Sequence, residues 1–106
     1  MYCSHLCLAE LFYVLARRRD LRFAQDSATA LVNTEYLDIV STTELDVKAG
    51  SYKCRRGISL ADCYVLAIAK INDACATFAR REIDLVKEIE REPLDVEVAF
   101  LEDYIR

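Results

Sequence analysis

The feature that most constrains this sequence is an apolar segment near its middle. Ten of the twelve residues from Leu60 to Ile71 are apolar, and the segment follows Ser59, a residue type that caps helices at their N-termini. A helix that is apolar all round must be covered all round, so it belongs at the centre of a domain. A chain of 106 residues has room for one such centre. The sequence therefore predicts one domain, residues 1–106, built around this helix.

Helical and strand-like patterns alternate on both sides of this segment. The spacing of apolar residues and of capping residues predicts helices over 4–19, 20–33, 42–54 and 81–91. Short β-prone runs cover 36–40, 74–79 and 96–101. Strands joined through helices are parallel, with right-handed crossovers. We therefore expect an α/β fold that begins almost at once with a helix and contains one sheet of three parallel strands.

Charge and cysteine content narrow the possible functions. Fourteen Lys and Arg against eighteen Asp and Glu give a net charge of −4, which argues against a protein that coats nucleic acid by charge alone. The five cysteines show no disulfide pattern, which favours a reducing compartment. Cys3, His5 and Cys7 are a poor zinc set because no second cluster accompanies them. No apolar run approaches the roughly 20 residues of a membrane span, so we expect a cytoplasmic protein without membrane contact.

Three acidic residues form a candidate site. Asp62 lies in the first turn of the central helix, and Glu82 begins the helix that leaves the strand at 74–79, so topology places both at the carboxyl end of that strand. Glu10 has no cationic neighbour three or four residues away, so we expect a non-local partner for it. Converging acids repel one another, and a divalent cation relieves the repulsion. Oxygen ligands favour Mg²⁺ or Mn²⁺ over zinc.

Each acid also has a simpler interpretation. Asp62, three residues after a serine, fits a capping box, and Glu82 can stabilise the positive end of its helix dipole. Glu10 can pair with an arginine from another helix. Arg80 and Arg81 oppose the dipole of the helix that they precede, so they can neutralise the acids or contact a phosphate. The residues alone leave these alternatives open.

Four segments occur in an order that is found in a known family. They are Leu8-Ala9-Glu10-Leu11-Phe12-Tyr13-Val14-Leu15, Ala49-Gly50-x-x-Lys53, Ile58-Ser59-Leu60-Ala61-Asp62-Cys63, and Ala76-Thr77-Phe78 ahead of Glu82. Together they resemble the PIN domain, the nuclease fold of VapC-type toxins, over nearly the whole chain. The Ser-Leu-Ala-Asp stretch is the most specific part. The resemblance implies a three-layer α/β/α fold with a short parallel sheet.

The resemblance also implies a function and a site. It implies a metal-dependent endoribonuclease of a type II toxin–antitoxin system, in which carboxylate-bound Mg²⁺ or Mn²⁺ activates water to hydrolyse an RNA phosphodiester bond. Matched by position, Glu10 and Asp62 correspond to the family's second and third acids, and Glu82 is the nearest match to the fourth. All three are thereby expected to be catalytic and metal-binding. The implied partners are an RNA substrate, an antitoxin protein and a second copy in a homodimer.

The chain departs from the family pattern at two places. PIN domains begin with a strand that carries the first metal-binding aspartate, and no such strand or acid precedes Glu10, so we expect an N-terminally truncated domain with the first strand missing. The usual Thr-x-Asp is replaced by Thr77-Phe78-Ala79. One alternative is therefore a catalytically inactive PIN protein that acts only in protein–protein interaction. Another is a helix-rich α/β scaffold unrelated to nucleases, whose acids serve as caps.

Overall fold

The structure, a computed structural model, describes residues 1–104. Helices and short strands alternate along the chain, and together they give the predicted α/β class. In chain order the elements are β1 (Tyr2–Ser4), α1 (His5–Arg18), α2 (Leu21–Val32), β2 (Asp38–Val40), α3 (Thr43–Arg55), α4 (Leu60–Ile71), β3 (Ala76–Phe78), α5 (Ile83–Arg91), β4 (Val98–Phe100) and a 3₁₀ turn (Leu101–Asp103).

Capping residues set the starts of the first four helices. Ser4, Asp20, Thr42 and Ser59 each accept a hydrogen bond from the backbone N–H three residues further on, at 3.0, 2.7, 3.1 and 3.1 Å respectively. These bonds satisfy N–H groups that have no partner inside the helix, which is why polar residues stand at these positions. The predicted helices consequently begin within two residues of the observed ones.

The strands form two separate parallel pairs in the described residues, so the prediction of one three-stranded sheet is wrong. β1 pairs with β2, with Cys3 opposite Ile39, and β3 pairs with β4, with Thr77 opposite Ala99. The chain also begins with a strand rather than a helix. Three residues ahead of a strong helix signal are too few to show an alternating pattern, so β1 was not predicted. β1 carries no acidic residue.

Helix α4 lies at the centre of the molecule, as its composition predicts. It packs against α3 and also contacts β1 and β3. The buried residues of α4 are Cys63, Leu66, Ala67, Ile68 and Ala69. Burial of each large apolar side chain stabilises the fold by about 1.5–3 kcal/mol relative to exposure.

In the described part of the chain, no helix is long and apolar enough to cross a membrane.

The hairpin of α1 and α2 lies outside this core. Among the described residues, α1 has no buried side chain and α2 has only Ala24. The hairpin joins the rest of the molecule where α1 contacts α4 and β1. Several large apolar side chains of the hairpin are exposed, namely Leu6, Leu11, Tyr13, Val14, Leu21 and Val32.

Candidate acidic site

Asp62 is held at the N-terminus of α4. Its backbone N–H donates to the Ser59 hydroxyl at 3.1 Å, so Ser59 is the N-cap of the helix. The capping interpretation is therefore correct for the backbone of this turn. It leaves the Asp62 carboxylate, which is half-buried, available for a second role.

Asp62 and Glu82 interact electrostatically. Burial raises the pKa of the Asp62 carboxyl, a hydrogen bond with Ser59 lowers it, and the negative charge of Glu82 raises it again. Glu82 immediately precedes α5 and is exposed, and its side chain makes no capping hydrogen bond. The structure thus brings these two acids within electrostatic range of each other.

Cys7, one helical turn before Glu10 on α1, is the residue by which this helix contacts the N-terminal end of α4. The Cys7 thiol contacts the Ala61 carbonyl oxygen of α4 at 3.8 Å. Burial raises the pKa of this thiol, hydrogen bonds with Ser4 lower it, and the charges of Glu10 and Asp62 raise it. The Cys7 thiol therefore lies within electrostatic range of both acids. Sequence reasoning missed it, although its spacing of three residues from Glu10 places both on one helix face.

The three predicted acids do not form a compact set of metal ligands. Within residues 1–104, no group of three or more His, Cys, Asp or Glu side chains is placed to hold a metal ion. Proteins usually hold Mg²⁺ by one or two carboxylates, with waters and substrate phosphates as the other ligands, so Asp62 and Glu82 have suitable chemistry. The assignment of Glu10, Asp62 and Glu82 as catalytic and metal-binding residues stays a prediction.

The alternative that Glu10 pairs with an arginine is not borne out in the described part of the chain. Glu10 is exposed, so water solvates its charge. Its carboxylate therefore has no structural cation that would compete with a bound metal ion within residues 1–104.

Arg81 is paired with acids from the end of the chain. Its guanidinium lies 3.1 Å from a carboxylate oxygen of Glu102 and 2.5 Å from one of Asp103, and it stacks over the Phe100 ring at 4.6 Å. These partners raise the pKa of Arg81, Asp103 most strongly. The positive charge of Arg81 therefore neutralises the carboxylates of Glu102 and Asp103 rather than those of Asp62 and Glu82.

The chain matches the family model of the PIN domain over residues 1–89. The chain belongs to the PIN domain family. The match runs from β1 into α5 and contains Glu10, Asp62 and Glu82. It contradicts the alternative of an α/β scaffold unrelated to nucleases. A search of curated proteins and a search of solved structures each found no match.

Two general properties of the family bear on the function of this chain. PIN domains are nucleases, and they generally use divalent metal ions. The observed α/β architecture with short parallel strands is consistent with the family. This protein is therefore a PIN-domain protein of the nuclease class.

Proposed function

We propose that this chain is a metal-dependent endoribonuclease of a type II toxin–antitoxin system, of the VapC type. Its substrate is RNA, and its cofactor is Mg²⁺ or Mn²⁺ held by Glu10, Asp62 and Glu82. The observation that carries the proposal is the half-buried Asp62 carboxylate, whose pKa is raised by burial and by the like charge of Glu82. Such an arrangement costs stability and is typical of functional sites.

The ligands would come from three different elements. Ser59 fixes the first turn of α4 and with it the backbone of Asp62, Glu82 stands just before α5, and Glu10 lies on α1. The contact of Cys7 with the Ala61 carbonyl connects α1 to α4. When bound, a divalent ion supplies activation of water and stabilises charge on the phosphate. The site therefore depends on how α1 packs against α4.

Cleavage of a fluorescent single-stranded RNA tests the reaction. We expect cleavage with Mg²⁺ or Mn²⁺, none with excess chelator, and a rate at least roughly tenfold lower for Asp62→Asn, which corresponds to about 1.4 kcal/mol of activation free energy. The matched control is Asp84→Asn, because Asp84 is an exposed acid in the first turn of α5. Equal cleavage by Asp62→Asn and the unmodified chain would contradict the assignment.

Binding of Mn²⁺ tests the metal site without reference to activity. Electron paramagnetic resonance of free Mn²⁺ measures how much ion the protein removes from solution. We expect saturable binding that is weakened in Asp62→Asn and Glu82→Gln and unchanged in Asp84→Asn. Binding that is unaffected by all three substitutions would show that the ion lies elsewhere.

The alternative function is a PIN protein that cleaves nothing and acts through protein–protein interaction. Two observations favour it: the described residues hold no group of three metal ligands, and apolar side chains such as Leu11, Tyr13 and Leu21 are exposed on the α1–α2 hairpin. This alternative predicts no saturable Mn²⁺ binding. An antitoxin protein and a second copy of the chain are the proposed partners under both functions. Sedimentation at increasing protein concentration tests the homodimer.

A further inference from the structure

Four arginines are clustered where α1 is joined to α2. Arg17 and Arg18 end α1, Arg19 follows it, and Arg22 lies in the first turn of α2, with Asp20 among them. All four arginines are exposed, and within residues 1–104 none of them forms an ion pair with a carboxylate. The whole chain has a net charge of −4, so this group, called the basic turn below, is a local positive patch on an acidic protein.

Helix dipoles account for only part of the basic turn. Cations in the last turn of a helix are stabilising, which explains Arg17 and Arg18. Arg22 lies in the first turn of α2, where a cation opposes the dipole, and that turn holds no acidic residue. Neighbouring cations also repel one another. The basic turn is therefore better suited to binding an anion than to stabilising the hairpin.

Aromatic rings accompany the arginines at two places. The guanidinium of Arg17 lies 5.6 Å from the centre of the Tyr13 ring and donates a hydrogen bond to its hydroxyl at 2.7 Å, and that of Arg19 lies 4.3 Å from the centre of the Phe23 ring. These contacts orient the guanidinium groups without neutralising them. Tyr13 is 56% exposed. Because bases of single-stranded RNA stack on aromatic rings and on guanidinium planes, Tyr13 and Arg17 offer a stacking platform.

Tyr13 and Arg17 lie on the same face of α1 as Glu10. They follow Glu10 by three and seven residues, which are spacings of neighbours along one helix face, and all three are exposed. From Glu10 to Arg17 the helix rises by about 10 Å. Stacked nucleotides are about 3.4 Å apart, so about three of them cover this distance. These three residues are called the α1 strip below.

The α1 strip begins near the acidic site and leads to the basic turn. Cys7, one helical turn before Glu10, contacts the Ala61 carbonyl, which belongs to the residue before Asp62. The acids at this end of the strip repel phosphate groups, whereas the arginines at the other end attract them. An RNA chain at the acidic site can therefore be held through the nucleotides on one side of it.

We propose that single-stranded RNA binds along the α1 strip, with a base stacked on Tyr13 and Arg17 and with phosphates at the basic turn. The choice of RNA rests on the proposed function, in which RNA is the substrate. Positive charge alone would suit any anionic chain. The exposed ring beside the arginines favours a nucleic acid over an acidic protein segment, because bases stack on such a ring.

Fluorescence anisotropy with a fluorescein-labelled single-stranded RNA of about ten nucleotides tests the stacking contact. Excess chelator is present, so neither cleavage nor a bound metal ion contributes. We expect saturable binding that Tyr13→Ala weakens at least roughly fivefold and that Tyr13→Phe, which keeps the ring, leaves nearly unchanged. The matched control is Tyr36→Ala, because Tyr36 is 80% exposed and lies ahead of β2, outside the strip; this variant should bind normally.

The dependence of binding on salt tests the arginines. For single strands, the slope of log affinity against log salt concentration is about −0.7 for each phosphate contacted. Arg17→Gln and Arg22→Gln should each weaken binding and make the slope shallower by about 0.7. The matched control is Arg55→Gln, which removes the same charge from an exposed position in the last turn of α3 and should leave the slope unchanged.

Four results would overturn the proposal. The first is no RNA binding at about 100 μM protein in roughly 50 mM salt. The second is normal binding by Tyr13→Ala with the circular dichroism of the unmodified chain; if this variant does not fold, the salt slopes of Arg17→Gln and Arg22→Gln decide. The third is an equal change of slope in Arg17→Gln and Arg55→Gln. The fourth is binding of a peptide of about ten glutamates as tightly as the RNA, since the basic turn would then take acidic protein segments.

Failure of this proposal can be distinguished from failure of the proposed function, because binding is measured without metal. Cleavage of RNA by a chain whose RNA binding does not need Tyr13 would refute the α1 strip and keep the nuclease. Binding of RNA that needs Tyr13, by a chain that neither cleaves RNA nor binds Mn²⁺, would keep the α1 strip and refute the nuclease.

Discussion

The cap of α4 links the stability of the fold to the acidic site, so Ser59→Ala should change both. The Ser59 hydroxyl accepts a hydrogen bond from the Asp62 N–H at 3.1 Å. Loss of an N-cap side chain costs about 1 kcal/mol of unfolding free energy. For a domain of this size, 1 kcal/mol corresponds to a fall in Tm of about 4–8 °C. Thermal unfolding followed by circular dichroism measures it.

The same substitution should raise the pKa of Asp62. The hydrogen bond between the Asp62 carboxyl group and the Ser59 side chain, which is separate from the capping bond, lowers this pKa, whereas burial and the charge of Glu82 raise it. In Ser59→Ala, burial and the charge of Glu82 remain, and both of them raise the pKa of Asp62. Titration of the Asp62 carboxyl carbon by NMR, in the variant and in the unmodified chain, measures the difference.

A matched serine provides the control. Ser51 is exposed on α3, and its hydroxyl donates to the Val47 carbonyl of the same helix at 2.8 Å, so Ser51→Ala should change stability by less than about 0.5 kcal/mol. An equal fall in Tm for both variants would refute the assigned role of the cap. A lower Asp62 pKa in Ser59→Ala would refute the account of the site.

Three further predictions concern stability. Leu66 is fully buried, so Leu66→Ala should lower the unfolding free energy by about 2–5 kcal/mol in urea titrations, and Leu60→Ala, at a 47% exposed position, by much less. The pKa of Glu88 lies below its usual 4.5, mainly through its hydrogen bond with Arg91, so its stabilisation is present above pH 4.5 and is lost on acidification. Glu88→Gln should therefore lower the urea midpoint at pH 7, with a difference that shrinks as pH falls. The pKa of Asp62 is raised, so its ionisation costs stability, and Asp62→Asn should be more stable at pH 7 with no gain below pH 3.8.

The helices were predictable because their signals are local. The bounds of α4 agree with the apolar segment Leu60–Ile71, and the caps of α2 and α4 are visible in the sequence. Strand pairing is a non-local property, and strands of three residues carry too little pattern to define it. The prediction therefore placed three of the four strands in the right part of the chain but grouped them wrongly and missed β1.

The proximity of Asp62 and Glu82 was predictable, because topology decides it, whereas their role as a site stays a prediction. Asp62 and Glu82 interact because the N-terminus of α4 and the start of α5 lie at the same end of β3. The role of Cys7 depends on the tertiary contact with Ala61, which no local pattern indicates. The pairing of Arg81 likewise depends on acids that lie 21 and 22 residues away in sequence.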